Sequence, residues 1–257
     1  MTSQLGASCR HILGVRVDVT SYADATARVV NAAGRSEAFW LCPACVQTII
    51  EAHSNPAFRR VMATASLVTT DGMPLVWALR LLGVRSAQRV YGPTLTEKLL
   101  AVAAASSIPV GFYGSSPETV RNLVDRCETR WPGLRVVFAC SQPYRPLTLD
   151  EDREIIRQVK ASGARILFVS LGCPKHEIWA HDHARTLRIP ILAVGAAFDF
   201  IAGVKPQAHA WMQSIGLEWF FRLATEPRRL WRRYLLGNPT FLLLLAAQLT
   251  GVRRFEH

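Results

Sequence analysis

Charged side chains that could transfer a proton or bind phosphate stand at turns of this sequence and near its carboxyl-terminal end. Asp71 follows an apolar, β-branched run at residues 66–70 and precedes Gly72, and the pattern of an amphipathic helix begins directly afterwards. A carboxylate placed there can take a proton from a hydroxyl group. The alternative is that Asp71 only forms a turn or caps the helix.

The carboxyl-terminal end carries a cluster of arginines. The formal net charge of the chain is +11, and seven arginines follow Leu217: Arg222, Arg228, Arg229, Arg232, Arg233, Arg253 and Arg254. Guanidinium groups stay charged and grip phosphate oxygens two at a time. This block therefore suits an anionic partner, which is substrate phosphate, a nucleic acid or an acidic membrane surface.

Aromatic and aliphatic side chains are interspersed with these arginines between residues 217 and 236. Aromatic groups beside cations suit the headgroup boundary of a membrane. The alternative is an ordinary solvated helix with one buried apolar face. The apolar run that follows at residues 240–249 is about half of the ~20 residues needed to cross a bilayer, so it could lie on a membrane but not span one.

Two glycine-bearing turns follow strand-like runs and open helices. They are Gly114-Ser-Ser-Pro117 and Gly172-Cys-Pro174. Free backbone N–H groups at such helix starts favour a phosphate. Neither turn is a complete Walker or Rossmann fingerprint, so each predicts phosphate contact only weakly.

The sequence offers candidate residues for metal binding and for redox chemistry, but their spacing supports these roles less well than it supports phosphate binding. The only Asp-x-Asp triplet, Asp150-Glu-Asp152, opens a predicted helix, where the dipole favours carboxylates in any case. His176, His181 and His183 lack the spacing that places two imidazoles one turn apart, so a solvated helix face or a single substrate contact by His176 is the better interpretation. Cys42 and Cys45 resemble a thioredoxin motif, but the length of the chain and its other motifs do not fit that class.

The elements that must position these groups alternate along the chain. Strand-like runs occur at residues 12–19, 38–42, 66–70, 108–113, 134–139, 165–171 and 190–194, and helical patterns lie between them. This alternation with short turns predicts an α/β fold, with a mostly parallel sheet covered by helices. In such sheets ligands bind at the carboxyl ends of the strands, where Asp71 is predicted to lie.

Length and composition limit the organisation of the chain. With 257 residues, half of them hydrophobic, it can bury one full core with or without an appendage. We predict a disordered N-terminus at 1–11, an α/β catalytic domain at 12–215 and a basic, amphipathic helical appendage at 216–257. The polar N-terminus does not resemble a secretory signal and the six cysteines are scattered, so we expect reduced thiols and a cytoplasmic location.

Several motifs together resemble one protein family. They are Asp71-Gly72 after the strand, Arg89-Val-Tyr-Gly92, Gly172-Cys-Pro-Lys-His-Glu177-Ile-Trp179, Val194-Gly-Ala-Ala-Phe-Asp199-Phe-Ile-Ala-Gly203 and Gly216-Leu-Glu-Trp219-Phe-Phe-Arg222-Leu-Ala-Thr-Glu226-Pro227. The sequence from about residue 12 to 241 resembles the bacterial WecG/TagA/CpsF glycosyltransferases, which move a sugar from a UDP-sugar onto a polyprenyl-pyrophosphate-linked acceptor. The resemblance implies a Rossmann-like fold and a role in building surface polysaccharide.

The resemblance also implies roles for individual residues. Asp71 falls on the family's proposed catalytic base, and Arg89 and Asp199 fall on polar positions that line its pocket. Gly114, His176 and Glu177 are further substrate-binding candidates from their motifs. The remaining candidates match arginines that the family's appendage brings over the active site at the membrane: Arg222, Arg229 and Arg232.

Three departures from the family pattern bear on substrate choice. The family usually has Thr-x-Asn where this chain has Pro43-Ala-Cys45, Gln where His176 stands, and Arg-Ala-Pro where Gln207-Ala-His209 stands. The first two replace polar groups expected in the pocket. Donor or acceptor choice is therefore open.

The sequence thus predicts an inverting glycosyltransferase that needs no metal or other cofactor, because arginines can stabilise the leaving diphosphate. Its expected partners are a UDP-sugar, a polyprenyl-pyrophosphate-linked acceptor and an anionic membrane surface on the cytoplasmic side, without nucleic acid. A homo-oligomer is left open. The alternatives are a non-catalytic basic module that binds anionic lipid or nucleic acid and, less favoured, a thiol redox protein using Cys42 and Cys45.

Overall fold

Strands and helices alternate along the chain in a computed structural model that describes residues 8–143, 145–253 and 255. The strands are β1 (Cys9–Ile12), β2 (Val15–Asp18), β3 (Phe39–Ala44), β4 (Leu67–Thr70), β5 (Val110–Gly114), β6 (Val136–Cys140), β7 (Ile166–Ser170) and β8 (Pro190–Ala193). The first helices are α1 (Tyr22–Arg35), α2 (Val46–Ser54), α3 (Pro56–Ala63), α4 (Met73–Leu81), α5 (Gly92–Ala105), α6 (Pro117–Arg130), α7 (Leu149–Ser162) and α8 (Lys175–Leu187). The predicted alternation is confirmed.

The strands form two sheets. One has six strands in the order β4-β3-β8-β7-β5-β6, and the other is the β1-β2 hairpin. Within the large sheet β3 pairs with β8, β8 with β7, β7 with β5 and β5 with β6, all in parallel. The strands are short, and those at its centre are buried on both faces, as the continuous apolar runs require. The α/β prediction is therefore confirmed.

The predicted single strand at residues 12–19 differs from the structure. The chain forms an antiparallel hairpin in which Cys9 lies opposite Asp18 and Ile12 opposite Val15. Alternating hydrophobicity continues through β1 and β2, so periodicity alone does not reveal the turn between them. Gly14 lies in this turn with a φ of 84°. The start of β1 also lies inside the segment assigned to a disordered N-terminus. Residues 1–7 lie outside the described part of the chain.

The carboxyl-terminal third contains further helices. Two short helices that the sequence patterns did not predict are α9 (Ala197–Ile201) and α10 (Ala210–Ser214). The predicted helical appendage consists of α11 (Glu218–Thr225), α12 (Pro227–Leu235) and α13 (Gly237–Leu249). Among the described residues, no helix combines the length and the hydropathy that crossing a bilayer requires.

The contacts divide the chain into two units. The first contains the described residues of Met1–Ser21, Pro43–Tyr91 and Gln207–His257, and the second contains Tyr22–Cys42 and Gly92–Pro206. The C-terminal helices belong to the same unit as the hairpin and β4. In that unit Gln248 of α13 donates to the His11 carbonyl oxygen and accepts from the Leu13 N–H, both at 2.8 Å. The predicted domain ranges stay predictions.

Candidate functional site

Asp71 stands at the carboxyl end of a strand, as predicted. Strand β4 ends at Thr70, and the backbone N–H of Asp71 donates to the carbonyl oxygen of Ala44 at the end of β3, at 2.9 Å. Helix α4 begins at Met73, and Gly72 occupies the N-cap position. The N-cap position of α4 is therefore not that of Asp71, and the catalytic role predicted for Asp71 stays a prediction.

A pocket in the first unit opens beside Asp71. It begins where β3 and β4 end, at the N-termini of α2 and α4, and the C-terminal helices close its other sides. Its lining comprises Cys45, Val46, Gln47, Asp71, Gly72, Met73, Pro74, Arg89, Gln213, Gly216, Glu218, Trp219, Arg222, Arg233, Tyr234 and Asn238. Two helix N-termini make the floor electropositive. The cavity volume is about 70 Å³.

Arg89 is the centre of a hydrogen-bond network in this pocket. Its Nε donates to the Asp71 carbonyl oxygen at 2.5 Å, and its Nη2 lies 2.5 Å from Oε2 of Glu218. The other carboxylate oxygen of Glu218 accepts from the Tyr91 hydroxyl at 2.7 Å. The guanidinium also stacks 4.0 Å from the centre of the Tyr91 ring. Arg89 therefore ties the Asp71 turn to the first residue of α11.

Burial and charge set the protonation of this network. Burial by itself lowers the pKa of Arg89, but the charges of Asp71 and Glu218 outweigh it, so that pKa lies above its usual value. Burial, with the nearby charges of Glu218 and Asp71, raises the pKa of Tyr91 well above its usual value. Tyr91 thus keeps the proton that it donates to Glu218, and Arg89 stays cationic.

Two further guanidinium groups line the pocket from the C-terminal helices. Arg222, on α11, was predicted as a substrate contact, and the structure brings it to the same pocket as Asp71 and Arg89. Arg233, on α12, was not predicted; its Nη2 lies 3.0 Å from Sγ of Cys45. Because Glu218 balances the charge of Arg89, Arg222 and Arg233 give the pocket its excess of positive charge over Asp71.

The other two predicted arginines have different surroundings. Arg229 and Arg232 are exposed on α12 and are absent from the described lining of this pocket. Arg229 forms an ion pair with Glu226 at 2.7 Å, and Arg232 lies over the Trp231 ring at 5.2 Å. Their predicted role over the active site stays a prediction.

Gly114 ends β5 in the second unit, with a φ of 106°. A Cβ atom there would collide with the carbonyl oxygen of Ser170, so only glycine fits. The neighbouring N–H groups have partners within the chain, since Ser115 donates to the Ser170 carbonyl oxygen at 2.8 Å and Thr119 to the Ser116 hydroxyl at 3.1 Å. Those two groups would have to exchange partners before they could bind a phosphate.

His176 and Glu177 form a buried pair at the start of α8. Nε2 of His176 lies 3.2 Å from Oε1 of Glu177, and both side chains are almost completely buried. Nδ1 of His176 and Oε2 of Glu177 lack hydrogen-bond partners among the described residues. In the same unit Asp199, on α9, forms an ion pair with Nζ of Lys205 at 2.7 Å. The substrate contacts predicted for these residues stay predictions.

The candidates for metal and redox chemistry are held in other contacts. Asp152 accepts from Nε1 of Trp179 at 3.0 Å and lies 3.1 Å from Nε2 of His183. Across residues 8–143, 145–253 and 255, no group of three acidic, histidine or cysteine side chains could hold a metal ion. Among the described residues none of the six cysteines is in a disulfide, and Cys42 is fully buried in β3, where a disulfide exchange partner could not reach it.

Two lining residues of this pocket, Glu218 and Arg233, had no predicted role, and neither had Tyr91, whose hydroxyl donates to Glu218. Tyr91 and Glu218 stand inside quoted motifs, but nothing in their spacing indicates that two segments 127 positions apart meet. Arg233 precedes the buried Tyr234 and follows the buried Leu230 by three positions on α12. That helical spacing was the available signal that Arg233, rather than Arg232, borders the inward face.

Comparison with known proteins defines the class. Residues 10–254 match the "Glycosyl transferase WecG/TagA/CpsF family", so the chain belongs to that family and is a glycosyltransferase. The chain is also 28% identical over 186 residues to an N-acetylglucosaminyldiphosphoundecaprenol N-acetyl-beta-D-mannosaminyltransferase of Bacillus spizizenii. That similarity covers 72% of this chain and 70% of the Bacillus enzyme. The predicted family and enzyme class are confirmed, and the non-catalytic and redox alternatives are set aside.

Proposed function

We propose that this glycosyltransferase moves a sugar from a UDP-sugar to a polyprenyl-diphosphate-linked acceptor, with inversion at the anomeric carbon. The observation that carries this proposal is the meeting of the Asp71 turn with Arg222 and Arg233 in one pocket. The name of the Bacillus enzyme supports the acceptor class, because it specifies an undecaprenyl diphosphate carrying N-acetylglucosamine. The same name specifies a β-linked product, which an α-linked nucleotide sugar gives by a single inverting displacement.

The pocket supplies both groups that this displacement needs. The Asp71 carboxylate takes the proton of the acceptor hydroxyl as its oxygen bonds to the anomeric carbon. The bond between that carbon and the diphosphate oxygen breaks at the same time, and UDP leaves with the electron pair. Arg222 and Arg233 stabilise the negative charge that develops on the diphosphate. The N-termini of α2 and α4 add to the same field.

The proposed mechanism has no role for a divalent metal, because guanidinium groups take over charge stabilisation. We expect sugar transfer to keep at least about half of its rate after dialysis against a chelator, since charge-assisted bonds from arginine need no metal. Transfer rates with and without added Mg²⁺ or Mn²⁺ measure this. Strict dependence on either ion would contradict the assignment of Arg222 and Arg233.

The C-terminal helices support docking on an anionic membrane surface. Leu230, Tyr234, Phe241 and Leu245 are buried, as in an ordinary amphipathic helix. Large apolar side chains are also exposed on these helices: Phe220, Trp231, Leu235, Leu236, Leu242, Leu243 and Leu249. Exposed cations, including Arg229 and Arg232, accompany them. Apolar groups beside cations suit the headgroup boundary, where a lipid-linked acceptor would be reached from the cytoplasmic face.

Two leucines of α13 test the docking surface. Leu242 and Leu243 are 60% and 73% exposed. Replacing both with aspartate should weaken binding to phosphatidylglycerol vesicles at least about 100-fold, because each buried leucine contributes about 1.5–3 kcal/mol and the new charges repel the lipid. Vesicle sedimentation measures the binding. Leu149→Asp, at a residue 77% exposed on α7, is the matched control and should bind like the parent chain. Equal binding by all three proteins would contradict the docking surface.

The reaction itself is tested by product mass. The chain should be incubated with individual UDP-sugars and an undecaprenyl-diphosphate-linked N-acetylglucosamine, and UDP release and the mass of the lipid product should be followed. The proposal expects one UDP-sugar to add one sugar residue with release of one UDP. If no UDP-sugar yields product on any polyprenyl-diphosphate acceptor, the proposed donor or acceptor class is wrong.

A further inference from the structure

The pocket contains a carboxylate that the proposed chemistry does not use. Glu218 is the first residue of α11 and its side chain is only 12% exposed. A buried carboxylate beside an anionic substrate is unfavourable unless it is paired. Here Arg89 and Tyr91 each bond to a different oxygen of it, so both oxygens have a partner.

These bonds fix the position of α11. Arg89 is itself held by the carbonyl oxygens of Asp71 and Gln213, at 2.5 and 3.5 Å, so Glu218 is attached to a support that includes the Asp71 turn. Gly216, two residues earlier, packs against Trp77 of α4 so closely that a Cβ atom would lie 2.7 Å from the Trp77 ring. The beginning of α11 is therefore fixed at two adjacent places.

Arg222 lies on the same face of α11 as Glu218. The two residues are four positions apart, which is one turn of an α-helix, and both line the pocket. A rotation of the helix that removed Glu218 from Arg89 would turn Arg222 away from the pocket as well. The position of Arg222, a predicted substrate contact, is thus coupled to the contacts of Glu218.

We infer that Glu218 is a positioning residue, which locks α11 onto Arg89 and Tyr91 so that Arg222 faces Asp71 across the pocket. The inference rests on the proposed function for the role of Arg222. In this inference Arg89 has a structural role and does not bind substrate phosphate. Its Nε, Nη1 and Nη2 all donate hydrogen bonds to groups of the protein.

Amide hydrogen exchange tests whether Glu218 fixes α11, and this measurement does not require sugar transfer. In the full chain, Glu218→Ala should speed exchange of the α11 amides at least about 10-fold, because the helix loses its fixed end. The amides of α8, in the other unit, serve as the internal reference. Glu154→Ala removes a carboxylate from an exposed ion pair on α7 and is the matched control, with α11 exchange as in the parent chain. Unchanged α11 exchange in Glu218→Ala would overturn the inference.

A double-mutant cycle tests the link to Arg222. Arg222→Ala should lower kcat about 100-fold, as loss of one stabilising donor does. Glu218→Ala should lower kcat about 10-fold and should leave the KM for the donor within about two-fold of the parent value. The kcat of the double variant should lie within about two-fold of the kcat of Arg222→Ala. If Glu218 contributed only to folding, kcat per folded molecule would be the same in Glu218→Ala as in the parent chain. That result would overturn the inference.

Other outcomes are equally decisive. If the two losses multiply to about 1000-fold, Glu218 acts independently of Arg222 and the inference is wrong. A faster Glu218→Ala enzyme would also overturn it, because the carboxylate would then be withholding Arg89 from the substrate. If the parent chain transfers no sugar at all, the proposed function falls, and the exchange experiment alone decides whether Glu218 holds α11.

Discussion

At the scale of residues, the site depends on how its charges are paired. Arg89 and Glu218 form an ion pair, so the further positive charges in the pocket are those of Arg222 and Arg233. Asp71 contributes its carbonyl oxygen to the Arg89 network and is also one of the residues that line the pocket. A single pocket thus brings Asp71 together with arginine side chains, which is the arrangement that the proposed displacement requires.

Replacing Arg89 should lower the free energy of unfolding. Arg89→Met leaves Glu218 buried without its cation, and breaking such a pair costs about 3 kcal/mol. Urea unfolding of the full chain measures the free energy of unfolding. Arg157→Met breaks an exposed ion pair with Glu154 and should cause no measurable change, because solvent screens that pair. An Arg89→Met protein as stable as the parent chain would show that the network contributes little.

At the scale of elements, the C-terminal helices are part of the unit that carries Asp71. Helix α13 is joined to the β1-β2 hairpin through Gln248, and α11 to the β4 region through Glu218. Helices α11 and α12 are amphipathic, α13 is apolar on most of its surface, and all three contribute residues to the pocket wall. Sequence periodicity could identify these helices, whereas it could not identify their partners, because those contacts join segments far apart in the chain.

Gly216 tests the junction before α11. Its φ is 78° and an added Cβ would lie 2.7 Å from the Trp77 ring, so Gly216→Ala should destabilise the chain by about 1–3 kcal/mol and speed exchange at α11. Gly237→Ala, at a helical glycine with no atom within 4 Å of the added Cβ, is the control. It should leave stability unchanged or raise it by up to about 1 kcal/mol. Equal effects of the two variants on thermal unfolding would contradict the close packing of Gly216 against Trp77.

At the scale of the whole molecule, the sequence predicted the sheet and part of the site. Apolar runs with short helical connections were sufficient to place Asp71 at the end of β4, because this local pattern is preserved in the fold. Arg222 could be predicted from its motif. Tyr91 and Glu218 could not be assigned, since their contact joins distant segments, whereas for Arg233 the helical spacing next to Tyr234 was the one local signal. The hairpin was missed because both of its arms continue one alternating pattern.

Buried tyrosines predict how stability changes at alkaline pH. Burial raises the pKa of Tyr91, Tyr113 and Tyr234, so the folded chain retains protons that the unfolded chain loses at about pH 10. The contribution is fully present below pH 10, and the free energy of unfolding should fall as pH rises above it. Tyr91→Phe should make this fall shallower between about pH 10 and 11. Urea unfolding at several pH values measures it, and a slope equal to that of the parent chain would contradict the burial of Tyr91.

The central claim is that the Asp71 carboxylate takes the proton of the acceptor hydroxyl. Asp71→Asn keeps the size of the side chain and removes its basicity, so kcat for UDP release should fall about 10³-fold, while binding to phosphatidylglycerol vesicles and the unfolding temperature stay as in the parent chain. Side-by-side turnover of the parent and Asp71→Asn proteins with the same UDP-sugar and lipid-linked acceptor is the direct measurement. An Asp71→Asn enzyme with kcat within about three-fold of the parent would contradict the claim.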